Sequence, residues 1–174
     1  MDRFAVRANK AAAALGKTTK DYTTASLLFY QQGLSDRDVQ ARTNVTLKAA
    51  NVTGQSTSEV SEQLTAIWNG YKVSAQEAET YIDKVAAVAA STASNLEELS
   101  QGMSKVAAAA NNMGVDIDQL NAQLSTIISV TRQDAGVAGT ALKTIYARMT
   151  DIESGLDTET TLGRYTAEMA KFGI

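Results

Sequence analysis

The sequence contains no cysteine, no histidine and no proline. Without cysteine there is no disulfide framework and no thiolate nucleophile. Without histidine, the commonest general base near neutral pH and the commonest transition-metal ligand are missing. The two absences together remove zinc sites, Ser-His-Asp triads and Cys-His dyads. Only carboxylates, lysine, tyrosine and serine are left for catalysis. The lack of proline removes the strongest helix breaker from all 174 residues. Aromatic residues are also scarce, at 6% against a hydrophobic content of 44% in which alanine and valine weigh heavily. That balance suits closely packed helices better than a large ligand pocket. No stretch approaches the ~20 apolar residues of a membrane span. The opening residues do not read as a secretory signal.

Charge of one sign is lacking too. The net charge is −3, and the 16 basic residues are scattered. Arg3, Arg7, Lys10, Lys17 and Lys20 come nearest to a basic cluster, but alanine dilutes them and no aromatics are interleaved. A nucleic-acid site needs a patch that neutralises several phosphates, so no direct nucleic-acid site is expected. The length fits one domain or two small ones, with room for a hydrophobic core.

What is present is a recurring helix stop. Gly33-Leu34, Gly114-Val115 and Gly173-Ile174 each place an apolar residue after glycine. Glycine takes positive φ without steric cost, and the apolar residue folds back onto the last helical turn. Helix starts are marked by capping boxes, in which a side-chain oxygen and an acid or amide three residues later satisfy each other's backbone N–H groups. Thr18/Asp21, Ser35/Asp38, Ser56/Glu59, Ser74/Glu77, Ser94/Glu97 and Asp116/Gln119 fit the pattern, and Asp134 caps without a reciprocal partner. Successive starts lie 17, 21, 18, 20, 22 and 18 residues apart. The expectation is an all-α array of about eight short capped helices, cut mid-pattern at Ile174.

Apolar spacing agrees. Leu96, Leu99, Met103, Val106, Ala110 and Met113 recur at threes and fours, as do Ile117, Leu120, Leu124, Ile127 and Ile128. Tyr81, Ile82, Val85 and Val88 give the preceding stripe. Gly102 falls inside a predicted helix, at a cost of roughly 1 kcal/mol relative to alanine, and close helix packing is the simplest reason for it. The starts Thr18, Ser35 and Ser56 map onto Ser94, Asp116 and Asp134 at offsets of 76, 81 and 78, and Leu64–Trp68 maps onto Leu142–Tyr146 at 78. Two pseudo-repeats of four helices follow, 1–72 and 73–150. Residues 151–174 hold a polar connection and a further helix carrying Leu162, Tyr165, Met169 and Phe172.

Candidate chemistry yields to structural readings. Asp116 and Asp118 lack the remaining ligands of a calcium loop, and Asp116 is the better N-cap. Glu97 and Glu98 point about 100° apart on a helix and cannot share a site. Gly136, Gly139, Lys143 and Thr144 have the wrong spacing for a phosphate loop, with no strand before them; small residues in close packing explain them better. Trp68 and Tyr146 occupy matched positions and read as core rather than as partner anchors. No catalytic, cofactor-binding or metal-binding residue is singled out, and no enzyme activity is expected.

The run from Asp134 to Met149, DAGVAGTALKTIYARM, resembles the core region of phage tail tape measure proteins. There, GTALKTI followed by a short hydrophobic and arginine stretch is a recurring signature. AAAANNMGVDIDQ, from Ala107 to Gln119, is similar to that family's alanine-rich helix, glycine stop and acidic restart. Gln63–Asn69, Tyr30–Ser35 and Tyr165–Ile174 fit the wider pattern, so the resemblance covers nearly the whole chain. It implies a structural component of a phage or prophage tail, made in the host cytoplasm and housed in the tail lumen, that governs tail length and takes part in genome delivery. Tail assembly chaperones, tail tube protein and baseplate proteins are the implied partners. Self-association is possible on this reading, and membrane contact is confined to infection. A tape measure usually runs to many hundreds of residues, which implies that this chain is an internal fragment.

As one helix, 174 residues would extend roughly 260 Å. As a compact domain, they would have a radius of gyration of about 16 Å. Caps every 20 residues or so and non-heptad stripes favour the compact form. The alternative function is a bacterial signalling or adaptor helix bundle, suggested by the Ala/Ser/Glu-rich run from Val85 to Met113. The caps that interrupt that run count against it.

Overall fold

The computed structural model describes residues 3–155, with side chains from Ala5 to Met149. All regular structure among the described residues is helical, in agreement with the expected all-α class. The helices are α1 (Arg3–Ala14), α2 (Thr19–Gln31), α3 (Asp36–Thr53), α4 (Thr57–Gly70), α5 (Ala78–Ser91), α6 (Leu96–Asn112), α7 (Ile117–Thr131) and α8 (Ala135–Gly155). None of them is long and apolar enough to cross a membrane. Gly173-Ile174 and the stripe Leu162, Tyr165, Met169 and Phe172 lie outside the described residues. Residues 151–155, expected to begin a polar connection, are instead the end of α8.

Most starts fall where the capping chemistry puts them. Thr18, Ser56 and Asp116 form reciprocal boxes with Asp21, Glu59 and Gln119, and Ser35 accepts from the Asp38 amide. Asp134 accepts from the Val137 amide at 3.1 Å. Two starts differ. The α6 box is Asn95/Glu98, one residue beyond Ser94/Glu97, with Asn95 Oδ1 accepting from the Glu98 amide at 2.8 Å. Ser94 is buried, and its hydroxyl reaches Ser125 on α7, so its polar group is engaged in packing rather than capping. Ser74 does bond Glu77, at 2.6 Å, but the residues between them form a turn and α5 begins only at Ala78.

The stops have a common geometry with varied residues. Gly33 and Gly114 take φ of 77° and 73°, and the amides of Leu34 and Val115 reach back to the carbonyls of Phe29 and Ala110. This is the six-to-one bond of a Schellman cap. Lys72 makes the same turn at φ 55° without being glycine, with the Val73 amide bonding the Trp68 carbonyl at 2.8 Å.

Helix packing sorts the elements into two layers. The even helices α2, α4, α6 and α8 each contact the next even helix, and the odd helices α3, α5 and α7 do likewise. Most neighbours in sequence also pack between layers, with α4 and α5 the weakest such pair. The spacing that produces this is 39 residues. Thr53, Thr92 and Thr131 stand 39 apart, and each hydroxyl donates to the carbonyl four residues before it. The caps Ser56, Asn95 and Asp134 follow at the same interval. So do the buried residues Phe29, Trp68, Ala107 and Tyr146. An offset of 78 therefore spans two helix pairs. One core cluster runs from Ala25 on α2 to Tyr146 on α8, and α1 adds a smaller one in which Ala8 and Ala12 pack with Tyr22 and Leu47.

Candidate functional site

The even layer holds the most distinctive geometry. A Cβ placed on Gly139 of α8 would overlap the Gly102 carbonyl of α6. One placed on Gly102 would lie 3.0 Å from the Ala135 oxygen and 3.4 Å from Leu124 Cδ2. At the preceding junction, a Cβ on Gly70 of α4 would sit 2.7 Å from the Ala108 nitrogen. The helices meet backbone to backbone, and only glycine permits that approach. The cost of a mid-helix glycine is thus offset by the packing it allows. The expected close packing of Gly102 and Gly139 is what the structure shows.

Large side chains fill the spaces beside these contacts. Trp68 is almost fully buried, with the Phe29 ring centroid 6.1 Å away and the Arg42 guanidinium 5.1 Å from the centre of its own ring. Arg42 donates through Nη2 to the Val73 carbonyl at 2.9 Å, while its Nε has no partner. Burial pulls the Arg42 pKa below its ordinary value, and Asp38 opposes that shift. The cation is therefore held largely by an aromatic face and one carbonyl. Tyr146 is buried and donates to the Gln123 side chain. Trp68 and Tyr146 are core residues, as expected of large aromatics on a helix face. Tyr71 bridges from the end of α4 to the Val115 carbonyl at 3.1 Å, and burial, reinforced by Tyr146 and Asp116, raises its pKa well above the ordinary tyrosine range.

The odd layer is more polar. Lys48 on α3 pairs with Glu79 on α5, and Lys84 on α5 pairs with Asp118 on α7 at 2.7 Å. Glu79 and Asp118 are again 39 residues apart, each in the first turn of its helix. Asp118 is thus an ion-pair partner, while Asp116 caps α7; the two do not converge. Glu98 is used in the α6 box and Glu97 is exposed. Among the described residues, no group of three or more carboxylates is placed to hold a metal ion. Gly136, Gly139, Lys143 and Thr144 all lie within α8, with Lys143 exposed, so no phosphate cradle forms. A shallow groove runs between α1, α3 and α5, bordered by Leu15, Asn44 and the Lys48–Glu79 pair.

The capping carboxylates share one electrostatic feature. Asp21, Asp38, Glu59 and Glu77 are each held below the ordinary carboxylate range, chiefly by side-chain hydrogen bonds from Thr18, Ser35, Ser56 and Ser74. Sequence reasoning located all four. It missed Arg42, although its spacing from Val39 and Thr46 puts it on the buried face of α3.

Tight glycine contacts, capped helices and ordered polar pairs define a helical packing module. The chain belongs to the phage-related minor tail protein family, whose model matches residues 9–173. That membership makes it a structural component of a phage tail. No curated protein and no solved structure matches it.

Proposed function

We propose that this chain is a folded helical module of a tail tape measure protein, acting in tail assembly through protein contacts and not through catalysis. The observation that carries the proposal is the place of the DAGVAGTALKTIYARM run in the fold. Its aspartate caps α8, its second glycine meets Gly102, and its leucine and tyrosine enter the core. The segment that resembles the tape measure signature is thus the segment that joins α8 to the even layer. On this reading the partners are tail assembly chaperones, tail tube protein and baseplate proteins, and the assembled location is the tail lumen.

A module of this kind contributes little to length directly. Duplicating one 39-residue helix pair adds one interhelical spacing of about 10 Å if the array stays folded. It adds about 58 Å if those residues are drawn out as continuous helix. The test is an in-frame duplication of residues 74–112 in the phage gene, with tail lengths measured by electron microscopy. Intact tails lengthened by no more than about 10 Å support a folded module. Lengthening by the extended value assigns these residues to the ruler itself, and tails of normal length and number after deletion of the whole chain would remove the tape measure reading. The competing signalling-bundle reading needs a continuous helix through Val85–Met113, and that run is broken between α5 and α6.

A further inference from the structure

Among the described residues, seven connections join the eight helices, and six of them turn through a left-handed residue: Gly16, Gly33, Gly54, Lys72, Gly114 or Arg132. A residue in that conformation cannot belong to a continuing helix, so each of these turns fixes where the chain reverses. The exception is the α5–α6 joint, residues 92–95. It holds no glycine and no positive φ, and Thr92 leaves α5 in extended backbone. Backbone bonds close the other turns, as from Val73 to Trp68 and from Val115 to Ala110, whereas residues 92–94 donate none. Side chains hold this joint instead. Thr92 Oγ1 donates to the Val88 carbonyl at 2.9 Å, the Thr92 and Ser94 hydroxyls meet at 2.8 Å, and Asn95 caps α6. The expectation of non-heptad stripes does not hold across it. Ile82, Val85 and Ala89 on α5 lead through Thr92 to Leu96, Leu99 and Met103 on α6 in one alternating three-four spacing. All six apolar residues belong to the core or pack against it. Drawn out as one helix, residues 78–112 would keep the apolar faces of α5 and α6 on the same side.

We propose that this joint opens into a continuous helix and that the chain then exchanges α1–α5 with a second copy, forming a domain-swapped dimer. Geometry within the chain selects that partner. Gly70, at the end of α4, lies against Ala107 and Ala108 of α6. In a continuous helix Ala78 would stand about 44 Å along the axis from Ala107. The chain from Gly70 to Ala78 reaches at most about 29 Å. Helix α4 therefore cannot stay on its own α6 once the joint straightens. A second copy, opened in the same way, offers the α6 and α7 surfaces that α4 and α5 have left. Each contact between α1–α5 and α6–α8 is then remade between chains, which makes exchange a low-cost route to a dimer. The two long helices run antiparallel, with each α5 against the α6 of the other copy. Docking within one chain has an effective concentration in the millimolar range, so the closed monomer prevails in dilute solution and exchange appears as the protein approaches that range. The exchange follows from the fold and does not depend on the tape measure reading.

The absence of cysteine makes the test free of background. Lys84 of α5 and Asp118 of α7 are paired at 2.7 Å with both side chains partly exposed, and the exchange places them on different chains. The full chain carrying Lys84→Cys and Asp118→Cys is refolded at micromolar concentration and at about 1 mM. Each sample is fractionated by gel filtration and treated with a short bismaleimide. The monomer is expected to cross-link within the chain. The dimer from concentrated refolding is expected to give a covalent dimer on a denaturing gel. Monomer alone at both concentrations would overturn the proposal. A dimer that cross-links only within its chains would overturn it too, since its copies associate without exchange. Two substitutions in the joint act in opposite directions. Ala93 is exposed and follows extended Thr92, the backbone that proline requires before it, so Ala93→Pro suits the closed joint and opposes the continuous helix. It should lower the dimerisation constant by about a hundredfold or more. Asn95→Ala removes a cap that only the closed form uses and should raise that constant by about fivefold. A dimer that forms undiminished with Ala93→Pro contradicts opening at this joint.

Discussion

The two layers of this array are held together by different physics. In the even layer, α4, α6 and α8 approach until backbone meets backbone at Gly70, Gly102 and Gly139, with Trp68, Met103 and Leu64 buried alongside. In the odd layer, α5 buries only Ala78 and Val85 fully and is tied to α3 and α7 through partly exposed lysine–carboxylate pairs. Close apolar packing depends on volume to within a methyl group, whereas exposed ion pairs contribute little and are screened by salt. The even layer is therefore the rigid spine. Within the odd layer, α5 is the helix that tolerates change, since α3 and α7 each turn several residues into the core.

The largest effect expected from this contrast is at the closest contact. Gly139→Leu forces α6 and α8 apart and should lower stability by about 3 kcal/mol or prevent folding, as read by urea unfolding. An unchanged midpoint would mean that the two helices do not meet as described. Trp68→Ala, which empties a filled space between α2, α3 and α4, should cost about 3–5 kcal/mol in the same assay. Ser56→Ala removes one capping bond and should cost about 1 kcal/mol, well below either spine substitution.

Acid titration affects the helix starts of both layers. Asp21, Asp38, Glu59 and Glu77 have folded-state pKa values below their unfolded values, so their contribution is present above the ordinary carboxylate range. It is lost as pH falls through the lower folded values. Melting temperature should therefore decline below about pH 4, and a Ser56→Ala, Ser74→Ala double variant should show a shallower decline. The smallest effect is expected in the odd layer. Lys84→Ala removes an exposed pair with Asp118 and should leave the melting temperature within error of the parent at physiological salt.

Much of this was legible in the sequence because capping is local. Thr18, Ser35, Ser56, Asp116 and Asp134 announce their helices through chemistry within three residues. Ser94 misled because it satisfies the cap pattern equally well, and only the buried contact with Ser125 assigns that role to Asn95. Lys72 was illegible as a stop because a lysine at φ 55° carries no compositional signal. The two-helix interval was obscured for a related reason. The turns at Gly33, Lys72 and Gly114 lie 39 and then 42 residues apart, since α6 is longer than α4 by three residues. Gly102 and Gly139 were visible as small residues in helices, but that they face each other is a property of tertiary packing alone.

Native-state hydrogen exchange tests the spine most directly. The account predicts that the central amides of α6, flanked by α4 and α8, exchange only through global unfolding, while those of α5 open earlier and at a lower free energy. Protection of α5 equal to or greater than that of α6 would contradict it.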